Sequence, residues 1–219
     1  MSIRNDAAED YHRWYYDSGV WKKTAYMGVP IQKWVGDLWN YQEIICQLRP
    51  QLIVEFGSWM GGSALYFADI LTRIRTAGKV LSVDIDLSRV HQRARLHPAI
   101  EWIQASTADP AVANRIQALR EELPGPIFLI IDSDHAKQHV LAELENLRAV
   151  TKRRDYLVVE DGNINGHPVL PGWGEGPHEA LAEYFLRHPK DYLRDLAHEA
   201  KFGFSFAPGG FLIRHGGMD

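Results

Sequence analysis

From Gln51 onward, short blocks of β-branched and large apolar residues alternate with longer stretches whose apolar positions recur at helical spacing. This is the pattern of successive βαβ units wound around a parallel sheet. It predicts strands at 52–56, 79–83, 100–104, 127–131 and 156–159, with helices near 62–77, 87–95, 110–122 and 138–151 between them. The run Pro126-Ile-Phe-Leu-Ile-Ile131 has no polar position, so it reads as a central strand covered on both faces, with Pro124 and Pro126 punctuating its start. Beyond Asp161, the glycine- and proline-rich stretch 162–177 reads as a long loop. A helix near 178–188 follows, and then a final hairpin turning at Pro208-Gly209-Gly210.

The first fifty residues have a different character. Tyr11, Trp14, Tyr15, Tyr16, Trp21, Tyr26, Trp34, Trp39 and Tyr41 make them far richer in aromatics than the remainder. A helical cap packed on the sheet and a lid over a substrate both account for such a segment, because aromatic rings bury large areas in either role. The expectation is one domain over 1–219 with 1–50 as its aromatic-rich cap or lid, and that segment is also a candidate contact surface for a homo-oligomer.

Composition narrows the partners. A formal charge of -4 and a pI near 6.2 provide no broad basic face for phosphates, which points away from nucleic acid and toward small molecules. Cys46 is the only cysteine, so no intrachain disulfide forms. No apolar run approaches the roughly 20 residues of a membrane span, and the N-terminus lacks the pattern of a signal peptide. A cytoplasmic location is expected.

The loop 55–63, Glu55-Phe56-Gly57-Ser58-Trp59-Met60-Gly61-Gly62-Ser63, carries a buried strand through three glycines into a helix. Glycine permits positive φ and close approach of a ligand to backbone, and a helix N-terminus offers free N–H groups. The spacing matches neither the dinucleotide fingerprint nor a P-loop. The order acid-x-Gly-x-x-x-Gly resembles the first motif of Rossmann-like methyltransferases that use S-adenosylmethionine (SAM). At the end of the next strand, Asp84 in Ser82-Val83-Asp84-Ile85-Asp86 is suited to a ribose diol, with Asp86 the candidate cap of the helix that follows.

Two strand ends concentrate acid: Asp132-Ser133-Asp134-His135 and Glu160-Asp161. Parallel strands joined by a helical crossover bring these ends to one edge of the sheet, where open α/β sheets bind ligands. Carboxylates gathered there repel one another unless protonated or bridged by a cation, and hard oxygen donors suit Mg²⁺ or another divalent cation. Capping of helices and solvation at loop ends are the competing reading for each acid alone. His135 is placed to take a proton from a hydroxyl brought to the same metal.

These segments, with Trp39-Asn40-Tyr41-Gln42-Glu43 and Val159-Glu160-Asp161-Gly162-Asn163, resemble the cephalosporin hydroxylase family over nearly the whole chain. That family includes SAM- and Mg²⁺-dependent O-methyltransferases of antibiotic and sugar maturation, and the sequence is more distantly similar to catechol O-methyltransferase. The resemblance implies a Rossmann-like class I SAM methyltransferase fold: a mostly parallel seven-stranded sheet, helices on both faces and a C-terminal antiparallel hairpin. It implies a metal held by Asp132, Glu160 and Asp161, the ribose at Asp84 and the adenine near Ala105 and Ser106. Asp132 would also border the cofactor, whose other contacts would be Glu55, Gly57, Ser58, Gly61 and Ser63. His135 stands where the catechol enzymes carry a lysine base, and Gly162 where they carry an asparagine ligand.

The expected function is metal-dependent transfer of a methyl from SAM to a hydroxyl of a small natural product: an antibiotic, a sugar or a phenolic. The segments Asn163-Ile164-Asn165-Gly166-His167-Pro168 and Pro171-Gly172-Trp173-Gly174 are candidates for a wall of the acceptor pocket. Two other readings stand beside this one. One is a non-haem iron oxygenase with His135 and two acids as its triad, and the other is a SAM-binding protein without catalysis.

Overall fold

The protein is described by a computed structural model over residues 6–216; the first five residues of the 1–50 segment and the last three of the chain lie outside the described residues. The N-terminal segment contains α1 (Asp6–Asp17), a 3-10 turn at Val20–Lys23, a small hairpin of β1 (Ala25–Tyr26) and β2 (Val29–Pro30), and α2 (Val35–Leu48). The main sheet then forms through β3 (Leu52–Phe56), α3 (Gly62–Arg73), β4 (Lys79–Asp84), α4 (Gln92–Arg95), β5 (Ile100–Gln104), α5 (Pro110–Glu122), β6 (Ile127–Ile131), α6 (Lys137–Arg148) and β7 (Tyr156–Val159). It finishes with α7 (Pro177–Arg187), β8 (Tyr192–Arg194), α8 (Leu196–Ala200) and β9 (Phe211–Arg214).

Strand order is β5-β4-β3-β6-β7-β9-β8, parallel through β7, with β9 antiparallel to both of its neighbours. The mostly parallel seven-stranded sheet and its antiparallel C-terminal hairpin are therefore as expected. Successive residues of each strand supply opposite cores, as the two-residue period of a strand requires. Leu52, Val54, Phe56, Leu129, Ile131, Leu157 and Val159 pack beneath α5, α6 and α7, while Ile53, Phe128, Ile130 and Val158 meet Tyr41, Ile45, Phe67 and Leu71 of α2 and α3. All five residues of β6 are buried, which confirms it as a central strand covered on both faces. At about 25 cal/mol per Å² of apolar surface removed from water, these two layers dominate the stabilisation.

Local chemistry sets the helix ends. The Asp109 carboxylate accepts the Ala111 N–H (2.8 Å) and Pro110 takes the first turn of α5, where no donor is required. Asp86 does not cap a helix over 87–95. Its Oδ1 accepts the Ser88 N–H (2.8 Å) and closes an isolated turn, and the helix is the four residues Gln92–Arg95 with His91 as cap. The hairpin also differs from expectation. Pro208-Gly209-Gly210 is not a tight turn between β8 and β9; it ends the longer connection, containing α8, that joins these two adjacent antiparallel strands. A side chain at Gly210 would stand 2.1 Å from the Val159 carbonyl, so this glycine is what allows β9 to close on the end of β7. Among the described residues, no helix is long and apolar enough to cross a membrane.

Candidate active site

The carboxyl ends of the parallel strands remain laddered one step past the strands themselves. Gly57 N–H donates to Val83 O (2.8 Å), Asp132 N–H to Phe56 O (2.9 Å) and Glu160 N–H to Ile131 O (2.9 Å). The residues that follow each strand are thus presented along one edge, and they surround a cavity of about 550 Å³. Taken in the order of the strands, its lining passes from Asp161 through Asp132, Ser133, Asp134 and His135 to Gly57, Ser58 and Trp59, then Asp84, and finally Ser106 and Thr107. Gly62 and Ser63 at the start of α3 complete that wall. Trp21, Pro30, Ile31 and Gln32 of the N-terminal segment close the other side.

At the loop end, φ of +95° at Gly57 lies in the left-handed region that favours glycine. Asp84 Oδ2 accepts the N–H groups of Ser58 (2.7 Å) and Trp59 (3.0 Å), and its Oδ1 accepts that of Asp86 (3.0 Å). A carboxylate offers about four acceptor sites. Three are used in shaping the loop, leaving capacity for a ligand hydroxyl. Glu55 is placed differently from the rest of the loop: it is wholly buried, accepts a hydrogen bond from Ser82 Oγ (2.6 Å) and does not line the cavity. Burial pushes its carboxyl up to about 7, opposed by Lys33, Ser63 and Ser82. Gly61 and Ala105 also lie behind the cavity wall, whereas their neighbours Gly62 and Ser106 line it.

At the acidic end, His135 Nε2 lies 3.0 Å from Asp161 Oδ2 and 3.5 Å from Asp132 Oδ1, and one ligand atom of each of the three residues falls within 4.8 Å of the others. Asp161 adopts φ of +54°, an unfavourable backbone state that the acidic side chain tolerates better than most. Burial acts to lower the His135 pKa, but the carboxylates of Asp132 and Asp161 outweigh it and hold the imidazole near 9. Glu160 has turned elsewhere. Its Oε1 accepts hydrogen bonds from Lys33 Nζ (2.7 Å) and from the Tyr41 hydroxyl (3.0 Å), and the same ammonium reaches Asp132 Oδ2 (2.6 Å).

Lys33 is 2 % exposed, and no motif or periodicity marks it. It reaches the acids on an irregular segment in which Gln32 takes φ of +48°, so no periodicity marks it. A second unforeseen group lies beside Ser106. Thr107 Oγ1 contacts His139 Nε2 (2.9 Å), Ser133 Oγ donates to Glu143 Oε1 (2.5 Å), and Glu143 is fully buried beneath them. The segment after β7 is coupled to the N-terminus as well: Asn163 Nδ2 meets His12 Nε2 (2.9 Å), and the His12 ring stacks on Phe204 at 4.3 Å.

Residues 18–215 match the family model described as Rhamnosyl O-methyltransferase/CmcI. Over 208 residues the chain is 53% identical to the rhamnosyl O-methyltransferase of Mycobacterium tuberculosis (strain ATCC 25618 / H37Rv), covering 95% of this chain and 85% of that protein. The rhamnosyl O-methyltransferase of Mycobacterium leprae (strain TN) is 51% identical over 207 residues, covering 94% and 90%. Among solved structures, cmcI-D160 Mg-SAM superposes with a TM-score of 0.70 at 21% identity, covering 89% of this chain and 78% of that one, a likeness of fold. With the alignment extending through the strand ends that build the cavity, the chain belongs to the rhamnosyl O-methyltransferase/CmcI family.

Proposed function

We propose that this protein is a metal-assisted O-methyltransferase that moves the methyl of SAM to a hydroxyl of a rhamnosyl group on a small glycoside. The observation that carries this reading is the cavity itself, which joins the Gly57–Asp84 cradle to the Asp132–His135–Asp161 cluster across adjacent strand ends. The rhamnosyl acceptor rests on the similarity to the mycobacterial enzymes.

The donor set fits both groups. Gly57, Ser58, Ser63, Asp84 and Ser106 would hold SAM, with Asp84 keeping acceptor capacity for a diol. Asp132 and Asp161 present carboxylate oxygens to the cavity, the hard donors that Mg²⁺ prefers. When bound, SAM supplies an electrophilic methyl and Mg²⁺ lowers the pKa of a coordinated hydroxyl.

The chain's own residues do the remaining work. His135 Nε2 receives the proton of the acceptor hydroxyl, for which it must first be neutral. The Asp132 and Asp161 carboxylates face that same nitrogen at 3.5 and 3.0 Å and so favour its protonated form, and Nε2 is free to accept a proton once their charge is balanced. The N-terminal segment acts as a cap, with Trp21 and Ile31 closing the cavity and excluding water. Positioning of the two reactants is the main demand of a direct displacement, and a walled cavity meets it.

The same three residues also match the ligand types of a His-and-two-carboxylate iron site. Calorimetric titration with S-adenosylhomocysteine (SAH), followed by assay of methyl transfer to a rhamnoside, tests the proposal. Saturable SAH binding and methylation support it; oxygen consumption on iron loading, without SAH binding, would replace it with the oxygenase.

A further inference from the structure

We infer that the amino ends of β6 and β7 carry a second binding site, in which Arg120, Lys152, Arg153 and Arg154 take a phosphate group of a small soluble molecule. It lies at the opposite end of the sheet from the candidate active site: the strands between them run five and four residues, roughly 15 Å at about 3.3 Å per residue. Its residues take no part in the methyl transfer proposed above.

A cavity of about 350 Å³ opens there, lined by these four cations, by Asp155 and by the connection Pro124-Gly125-Pro126. The chain as a whole is acidic, with a formal charge of -4, so four cations against one carboxylate reverse the sign locally. That carboxylate is already committed inward. Asp155 is 1 % exposed; its Oδ1 accepts the Ile127 N–H (2.9 Å), and its Oδ2 accepts the Lys152 N–H (2.7 Å) and the Arg120 guanidinium.

Arg120 is the buried member of the set, 7 % exposed. Among the described residues only its Nη2 is hydrogen-bonded, to Asp155, and its buried Nε has no partner. A guanidinium has five N–H donors, and leaving buried donors without an acceptor is costly. Lys152, Arg153 and Arg154 are exposed, and the Arg120–Asp155 pair is the only ion pair that any lining residue makes among the described residues. Their turn is fixed nonetheless: Asp155 N–H donates to Lys152 O (3.0 Å) and Arg154 N–H to Arg214 O (3.0 Å). On the facing wall Pro124 and Pro126 restrain the chain on either side of Gly125, where a Cβ would meet nothing within 4 Å.

Guanidinium forks match the oxygens of a phosphate, and an ammonium adds a point charge. A nucleic acid strand would need cations in a row along its backbone, and these are gathered in one concavity. A bilayer surface would need apolar side chains to insert beside them, and among the described residues none of the exposed large hydrophobic side chains lines this cavity. A small soluble molecule bearing phosphate needs neither.

The test is calorimetric titration of inorganic diphosphate, with a chelator present, into the native chain and two variants. Lys152→Ala/Arg153→Ala removes two cations of the site, and Lys23→Ala/Lys190→Ala removes the same charge elsewhere; all four side chains are exposed. The native chain should show saturable one-site binding, whether or not SAH already saturates it. Affinity should fall by about tenfold or more in Lys152→Ala/Arg153→Ala and by less than about twofold in Lys23→Ala/Lys190→Ala. No saturable binding at millimolar diphosphate overturns the inference, and so does equal weakening in the two variants, which would mark a diffuse charge effect. Binding that disappears when SAH is present belongs to the catalytic cavity and overturns it as well. Association with phosphatidylglycerol vesicles or a single-stranded oligonucleotide, lost in Lys152→Ala/Arg153→Ala and unaccompanied by diphosphate binding, would assign the cations to a macromolecular surface instead.

Discussion

The carbonyl oxygen of Asp132 occupies the space that a side chain at Gly57 would need: a Cβ built there would stand 1.8 Å away from it. Two adjacent strands therefore bring the cofactor loop and the acidic cluster into contact through a position that only glycine can fill. Gly57→Ala combines this overlap with a φ of +95° and should destabilise the protein by about 3 kcal/mol or more. Thermal unfolding checks the loss, and a melting temperature within a degree of the native value would contradict the packing described.

Asp84 gathers three backbone N–H groups of its own neighbourhood, at 2.7, 3.0 and 3.0 Å, and so shapes the loop proposed to hold the cofactor. Asp84→Asn keeps the size but replaces a charged acceptor, and SAH affinity should fall by roughly tenfold to a hundredfold. Calorimetry on the variant measures this. Unchanged affinity would remove Asp84 from the cofactor site.

His135 is held protonated to about pH 9 by Asp132 and Asp161. A general base works only when neutral, so activity should rise with pH through the acid limb of its profile. A divalent cation on the two carboxylates cancels the charge that keeps the proton in place, so that limb should move to lower pH as metal approaches saturation. Rate profiles at limiting and saturating Mg²⁺ compare the two conditions. His135→Ala should lower kcat by about a hundredfold or more while SAH binding persists.

His12 ties α1 to the segment after β7, and burial lowers its pKa from 6.5 to about 4. The unfolded chain therefore takes up this proton at a higher pH than the folded one, and stability rises with pH across the interval. The contribution is complete above about pH 6.5 and is lost as pH falls toward 4, amounting to about 3 kcal/mol at most. Hydrogen exchange in α1 should accelerate selectively between those values. A helix equally protected at pH 7 and pH 4.5 would show that His12 does not govern its docking.

The central strands β3, β6 and β7 could be read from the chain because each is a compact apolar block, and burial on both faces is what such a block requires. Convergence of Asp132 with Asp161 was legible for the same reason, since parallel strands place their ends on one edge. Lys33 could not be found this way. It lies 99 residues from Asp132 in sequence and approaches through backbone of no regular period. Motif order places Glu55 beside the loop, whereas strand alternation buries its side chain on the same face as Ile53. The final hairpin was legible but its connection is longer than Pro208-Gly209-Gly210 suggests, because α8 lies within it and Gly210 serves close packing on Val159.

The most direct test of the central claim is transfer of labelled methyl from SAM to a rhamnoside by the native chain and by Asp132→Ala, with Mg²⁺ supplied. The native chain should yield one labelled O-methyl per SAH formed, and the variant should lose about a hundredfold or more. Native-like transfer by Asp132→Ala would contradict that claim, as would an absence of label on any hydroxyl from a chain that binds SAH.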